Sequence, residues 1–500
     1  MKGIRTSGVL LHPTCLPSPF GIGDMGPEAY RFADLLAETG QQYWQILPVT
    51  FTDADHGHSP YHSLSAFAGD PLWISPQLLI KDGWLQSSAL TDVPEFPADR
   101  VDFPKVRTLK LPLLEKAFER FLTGKGKEAV RHFIRENGWL SDFALFRVLT
   151  RHYGRPWSHW PVDLRDRRAG ALQAVGERFS IPLQREAFLQ YLFFQQWKDL
   201  RRYCNDQGIQ FIGDMPIYLP FHSAEVWANP YLYKLTQDRS PLRVSGVPPD
   251  YFSETGQLWG HPVYDWEALV KTGFDWWVQR TAHNLKLFDR IRIDHFRGWV
   301  ACWEVPGKAQ TAVNGEWVPV PGDRLLDTLF RRFGCLPLIA EDLGTITADV
   351  RETMARFDLP GMKILLFAFG DDYPYGAFLP HNYRPNCVVY TGTHDNNTVQ
   401  GWFSSEATDQ ERNHLYGYLG KRPKTREIPW EMIRLAMASV ADTAIIPLQD
   451  LLGLEEHARM NCPAGPEGNW QWRAPETLLP EPVAGRLTEM TRTYGRAPEK

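Results

Sequence analysis

No stretch of this sequence approaches the ~18 consecutive apolar residues of a membrane span. Residues 1–19 hold only the short apolar run Val9-Leu10-Leu11, too brief for the centre of a secretion signal. These absences predict a cytoplasmic protein without a membrane partner. Cysteine is sparse: the six residues stand alone at 15, 204, 302, 335, 387 and 462, with no C-x-x-C pair. That pattern favours a reducing compartment over a disulfide framework or a zinc site. Cationic excess is missing too, with 54 Lys and Arg against 59 Asp and Glu and a formal net charge of −5. A nucleic-acid partner is therefore not expected. No G-x-G-x-x-G follows the first strand, no G-x-x-x-x-G-K-[ST] occurs, and there are no repeats, low-complexity tracts or Ser/Gly linkers.

What is present is an ordinary globular balance, 43 % hydrophobic and 23 % charged residues over 500 positions, too long for one small module. The unusual feature is 19 Trp beside 18 Tyr and 28 Phe. Most such rings pack cores, but flat rings are also what proteins lay against sugar faces or bases.

Short β-rich runs recur between helical stretches at 43–49, 72–75, 210–219, 290–296, 338–343, 363–369, 387–393 and 443–448. Eight strands with room for crossovers predict an α/β fold, a parallel (β/α)₈ TIM barrel; an open doubly wound sheet is the rival. The chain reads as one catalytic barrel over 1–500. Within it, 77–207 is expected to be a mostly helical insertion. A second insertion, 221–266, is rich in Pro, Gly, Trp and Tyr and poor in periodicity, as a loop-rich lid over substrate would be. The tail beyond Pro475 is expected to close with a helix.

Barrel enzymes keep their chemistry at the carboxy-terminal ends of the strands. In Arg290-Ile291-Arg292-Ile293-Asp294-His295, the strand period of two puts Arg292 and Asp294 on one face. A cation there would hold the carboxylate ionised and aimed as a nucleophile; a plain buried ion pair is the alternative. Leu338-Ile339-Ala340-Glu341-Asp342 ends in an acidic pair, costly unless paired or used. Glu341 has the reach of a proton donor, the alternative being a salt-bridged loop pair. In Tyr390-Thr391-Gly392-Thr393-His394-Asp395, Asp395 is either a functional acid or a helix N-cap. Asp214, in Gly213-Asp214-Met215-Pro216, is a fourth strand-end acid. Four such acids on one barrel, without a metal-ligand triad or phosphate loop, suit glycoside chemistry, in which one carboxyl attacks and another transfers a proton.

These segments resemble the signature blocks of the α-amylase superfamily, and the chain as a whole resembles the 4-α-glucanotransferases known as amylomaltases or disproportionating enzymes. The blocks run in order from Gly8-Val9-Leu10-Leu11-His12-Pro13-Thr14 and Gly21-Ile22-Gly23-Asp24 to Asn469-Trp470-Gln471-Trp472-Arg473. Between them lie Ser59-Pro60-Tyr61, Ser65-Ala66-Phe67-Ala68-Gly69, Gly246-Val247-Pro248-Pro249-Asp250-Tyr251-Phe252-Ser253, Thr255-Gly256-Gln257-Leu258-Trp259-Gly260 and the strand-end blocks.

The resemblance implies Asp294 as nucleophile, Glu341 as acid/base and Asp395 as the third acid. It places Tyr61, Asp214, Arg292 and His394 around the reacting glucose, Asp250 and Trp259 in a lid loop with Trp259 toward the acceptor, and Asn461 among the substrate-binding residues. The implied activity is retaining transfer of α-1,4-glucan segments from a maltooligosaccharide to the 4-hydroxyl of another glucan or of glucose, with no metal and no organic cofactor. An α-1,4-glucan hydrolase using the same carboxylates is the alternative. Three departures from the family pattern are visible: Val49-Thr50-Phe51-Thr52 where Gly-Pro-Thr is common, Asp70 where Asn is usual, and Ala464 where Gly is usual. All lie outside the three acids and bear on subsite preference.

Overall fold

The apolar runs Phe211-Ile212, Ile291, Ile293, Leu338-Ile339, Val388-Val389 and Ile445-Ile446 are almost solvent-free, as strands of a parallel sheet covered on both faces must be. In the computed structural model, which describes residues 5–249, 253–463, 465 and 468–498, twelve strands are seen among those residues. They are β1 (Thr6–Leu10), β2 (Tyr43–Gln45), β3 (Gln210–Met215), β4 (Arg243–Val247), β5 (Gln257–Pro262), β6 (Arg290–Ile293), β7 (Ala301–Pro306), β8 (Glu316–Pro319), β9 (Leu338–Ala340), β10 (Gly361–Ile364), β11 (Cys387–Tyr390) and β12 (Thr443–Pro447).

Eight of them form one parallel sheet in the order β10-β11-β12-β1-β2-β3-β6-β9. Its two edges meet. Ala340 N donates to Pro360 O at 2.9 Å, and Met362 N donates to the Asp342 carboxylate at 2.6 Å. The sheet is a (β/α)₈ barrel, and Asp342 serves its seam rather than an ion pair with a neighbour.

One expected strand is replaced. Residues 72–75 carry strand-forming side chains, but Pro71 fixes a helical φ and Asp70 accepts from Leu72 N at 2.9 Å, so Pro71–Trp73 is a 3₁₀ turn. The eighth barrel strand is β1, whose Thr6-Ser7-Gly8 start breaks the apolar run. Gly8 is needed there because a Cβ would come within 2.4 Å of Tyr43 O on β2.

Between β2 and β3 lie the helices Phe103–Leu122, Lys127–Glu136, Trp139–Tyr153, Ala169–Arg178 and Ser180–Asp206. The last is anchored to barrel loops by two buried glutamines. Gln190 exchanges bonds of 2.8 and 2.9 Å with the backbone of Gly69, and Gln196 bonds of 2.7 and 3.2 Å with that of Ser75. A buried Lys110 to Asp24 ion pair at 2.8 Å makes a third tie, between Phe103–Leu122 and the loop after β1.

The described residues of 221–266 hold more regular structure than the composition suggests. β4 and β5 pair antiparallel, and with β7 and β8 they form a second sheet in the order β5-β4-β7-β8. Glu481–Thr493 is the final helix among the described residues. None of the helices described is long and apolar enough to cross a membrane.

Candidate active site

Parallel register brings the first two site residues together. Asp214 on β3 lies beside Arg292 on β6, and Arg292 Nη1 reaches both Asp214 oxygens at 2.7 and 2.8 Å. The same nitrogen is 2.9 Å from Asp294 Oδ1, two residues further along. Arg292 and Asp214 are buried, whereas Asp294 keeps about a quarter of its side-chain surface open (27 %). The arginine therefore holds one acid out of reach and presents another to the mouth of the barrel. Burial pushes the Asp294 carboxyl up, and Arg292 opposes that rise without cancelling it, since Asp214 and Asp395 push the same way as burial.

Glu341 follows β9 directly. Its Oε2 accepts from His295 N at 2.7 Å and its Oε1 from Leu343 N at 2.8 Å. It is held by two peptide N–H groups and, among the described residues, by no cation of its own, so the salt-bridged reading fails here. Burial raises it to about 7, with Arg292 opposing and the Asp294 charge adding to the rise.

Asp395 follows β11 and does not cap a helix; Thr398 does that for Val399–Gly401. Its Oδ1 accepts from Asn461 Nδ2 at 2.6 Å, and its Oδ2 is 3.3 Å from His394 Nε2. Burial would push this carboxyl up, but the charge and hydrogen bond of His394, the Asn461 bond and Arg292 together hold it well below the usual range. The Tyr61 hydroxyl joins the two halves of the site, donating to Asp214 Oδ2 at 2.7 Å and lying 2.8 Å from His394 Nε2.

Of the ten residues predicted from sequence, Tyr61, Asp214, Arg292, Asp294, His394, Asp395 and Asn461 thus form one bonded network. Glu341 is tied to it through the peptide N–H that follows Asp294. Trp259 on β5 stands over this edge, its ring perpendicular to His295 with centroids 4.7 Å apart. Asp250 lies outside the described residues, as does Ala464. The other two departures touch each other: Asp70 Oδ2 accepts from both the hydroxyl and the N–H of Thr52, at 2.6 and 3.1 Å.

Sequence reasoning missed Arg459, whose guanidinium donates to Asp395 O at 2.9 Å, to Asn461 O at 2.8 Å and to Glu406 at 3.0 Å. It also gave no role to Trp470, whose ring centroid lies 5.8 Å from that of Tyr61, although the block containing it had been noted. Among the described residues no group of three or more His, Cys, Asp or Glu side chains is arranged to hold a metal ion.

A family model described as 4-alpha-glucanotransferase matches residues 11–478. The chain belongs to that family. It is 46 % identical over 504 residues to the 4-alpha-glucanotransferase of Thermus thermophilus, covering 98 % of this chain and 99 % of that one. It is likewise 46 % identical over 474 residues to the enzyme of Aquifex aeolicus (strain VF5), covering 95 % and 96 %. A chloroplastic/amyloplastic relative from Solanum tuberosum is 42 % identical over 98 % of this chain and 86 % of its own. Among solved structures, the amylomaltase of Streptococcus agalactiae in complex with acarbose superposes with a TM-score of 0.95 at 39 % identity, covering 99 % of this chain and all of that one. This glucanotransferase-family chain thus shares the amylomaltase fold over nearly its whole length.

Proposed function

We propose that this 4-alpha-glucanotransferase works by retaining transfer, with Asp294 as nucleophile and Glu341 as acid/base. A carboxylate oxygen of Asp294 attacks the anomeric carbon of an α-1,4-linked donor. The bond to the leaving 4-oxygen breaks as Glu341 gives that oxygen its proton, leaving a glycosyl ester on Asp294. Glu341, now ionised, takes the proton from the 4-hydroxyl of an acceptor, whose oxygen attacks the same carbon and releases Asp294. Two inversions give net retention.

In this reading Tyr61, His394, Asp395 and Asn461 bind and distort the reacting glucose, the buried Arg292 and Asp214 support that subsite from beneath, and Trp259 faces the acceptor. Asp250 is proposed on the resemblance alone. The observation that carries the assignment is the placement of three acids in one site, Asp294 held by Arg292, Glu341 by two peptide N–H groups and Asp395 by Asn461 and His394. Glu341 is poised near neutrality with hydrogen-bond donors on both oxygens, while Asp395 stays ionised; such a split marks a proton-transfer group beside a charge-stabilising one. That the relatives are transferases favours sugar over water as acceptor. Donors and acceptors are maltooligosaccharides and glucose, in the cytoplasm.

Incubation with maltotriose followed by product chromatography tests this. A ladder of longer maltodextrins plus glucose is expected; shorter sugars alone would make the chain a hydrolase.

A further inference from the structure

His295 touches both the proposed acid/base and the tryptophan of β5. Its main-chain N–H donates to Glu341 Oε2 at 2.7 Å. Its imidazole stands perpendicular to the Trp259 ring, centroids 4.7 Å apart. The two contacts are possible together because the residue is left-handed, with φ 51° and ψ 56°. Histidine is among the few side chains that tolerate this region, and a strained backbone persists only where its surroundings enforce it.

The surroundings here are identifiable. A Cβ on Gly298 would come within 3.2 Å of His295 Cδ2 and 2.7 Å of Ile217 Cδ1, so the ring packs tightly against position 298. Behind Trp259 lies Tyr218, ring centroids 6.1 Å apart. Among the described residues the imidazole Nε2 is buried without a hydrogen-bond partner. Burial pushes its pKa down to about 4, with Arg297 adding, so it is neutral in the working range and acts as an aromatic surface. The main chain of Glu341 is fixed independently, through Glu341 N to Ile293 O and Phe296 N to Glu341 O, both 3.1 Å. What His295 adds is one of the two peptide donors that direct the carboxyl, the other being Leu343 N–H on Oε1.

From this geometry we infer that His295 is a positioning residue that couples the seating of Trp259 to the aim of Glu341. With Trp259 pressed on the imidazole, the left-handed peptide is clamped and its N–H keeps Glu341 directed at the glycosidic oxygen. With Trp259 displaced, the clamp slackens and proton transfer slows. An occupied acceptor site thereby readies the acid/base that must deprotonate that acceptor. This rests on the assignment of Glu341 as acid/base.

The test is a double-mutant cycle on transfer between maltotriose molecules, with His295→Asn chosen because Asn accepts a left-handed backbone while lacking the ring. Trp259→Ala and His295→Asn are each expected to lower kcat by about tenfold to a hundredfold, as small misplacements of a reacting group do. The double variant should be no slower than the slower single one. On a glycosyl fluoride, which needs little proton assistance, formation of the glycosyl-enzyme by His295→Asn should stay near wild type, which a general loss of structure would not allow. His295→Gly, free of backbone strain, should behave like His295→Asn; it also serves if His295→Asn folds poorly. Multiplicative losses in the double variant, or an unchanged kcat in both His295 variants, would overturn the coupling. Glu341→Gln is run alongside: full maltotriose transfer by that variant would refute the acid/base assignment itself, while the Trp259 to His295 coupling would still be read from the cycle.

Discussion

Arg292 Nη1 lies 2.9 Å from Asp294 Oδ1 and within 2.8 Å of both oxygens of Asp214, so a single guanidinium nitrogen orients the partly open Asp294 against a buried acid. Lysine cannot reproduce that reach with the same fixed, planar head. Arg292→Lys is expected to lower kcat for maltotriose transfer by about a hundredfold, the loss typical of one preorganised electrostatic contact. A kcat within a few-fold of wild type would show that the contact does not aim Asp294.

Asp294→Asn and Glu341→Gln should both abolish transfer from maltotriose but fail at different steps. A glycosyl fluoride leaves without much help from an acid, so Glu341→Gln should still accumulate a covalent glycosyl-enzyme detectable by intact mass. Asp294→Asn should not, and equal labelling of the two would reverse or void the assignment.

The strand-end acids were legible in the sequence because buried parallel strands read as apolar runs, and the first polar residue after each run marks the mouth of the barrel. Where the reading failed, the reason is a backbone effect. β1 was missed because Thr6-Ser7-Gly8 interrupts its run, yet Gly8 is what lets β2 approach. Residues 72–75 looked like a strand because side-chain preference was weighed without Pro71 and the Asp70 cap. Peptide donors are invisible to residue-type patterns, so the hold of His295 N and Leu343 N on Glu341 could not be foreseen, nor could Arg459, which reaches Asp395 and Asn461 through carbonyl oxygens. One signal was available for Asp395: the capping alternative weakens once Thr398 is seen three residues on, a better-placed cap for the helix that follows.

The pH dependence follows from Glu341. In the proposed mechanism the first step needs it protonated, so kcat/KM for maltotriose should fall as pH rises through its pKa of about 7. With a glycosyl fluoride that alkaline limb should weaken. Stability moves in the same direction. The folded-state pKa lies above the ordinary 4.5, so the protonated form favours the fold, and this contribution is lost as pH rises through about 7. The Tm of Glu341→Gln relative to wild type should therefore be more favourable at about pH 8 than at about pH 5; a constant difference would mean that Glu341 does not titrate there.

Lys110 and Asp24 are both almost fully buried, and the ammonium also donates to Leu72 O at 2.7 Å. Removing one partner strands the other's charge, so Lys110→Ala should cost about 3–5 kcal/mol, far more than an exposed pair. Lys110→Met, studied with Asp24→Leu, removes both charges and should restore most of the loss. A Tm for Lys110→Ala equal to wild type would show that the pair does not hold the helix to the barrel.

The last prediction concerns why sugar should win over water. Water is far more abundant than any acceptor, so the site must hold the acceptor in attacking geometry while the glycosyl-enzyme stays dry, and such positioning can supply several kcal/mol. Trp259 is half-buried on β5 beside His295, with its indole Nε1 3.3 Å from Gln257 Oε1. Its ring stands beside the residue whose main-chain N–H holds Glu341, the acid proposed to deprotonate the acceptor. Trp259→Ala should therefore reduce transfer to glucose or maltose more than it reduces formation of the glycosyl-enzyme from a fluoride donor, and the hydrolytic share of products should rise. If Trp259 only packed the hairpin against the barrel, both steps would fall together and Tm would drop. An unchanged ratio of transfer to hydrolysis in a destabilised variant would thus remove Trp259 from the acceptor site.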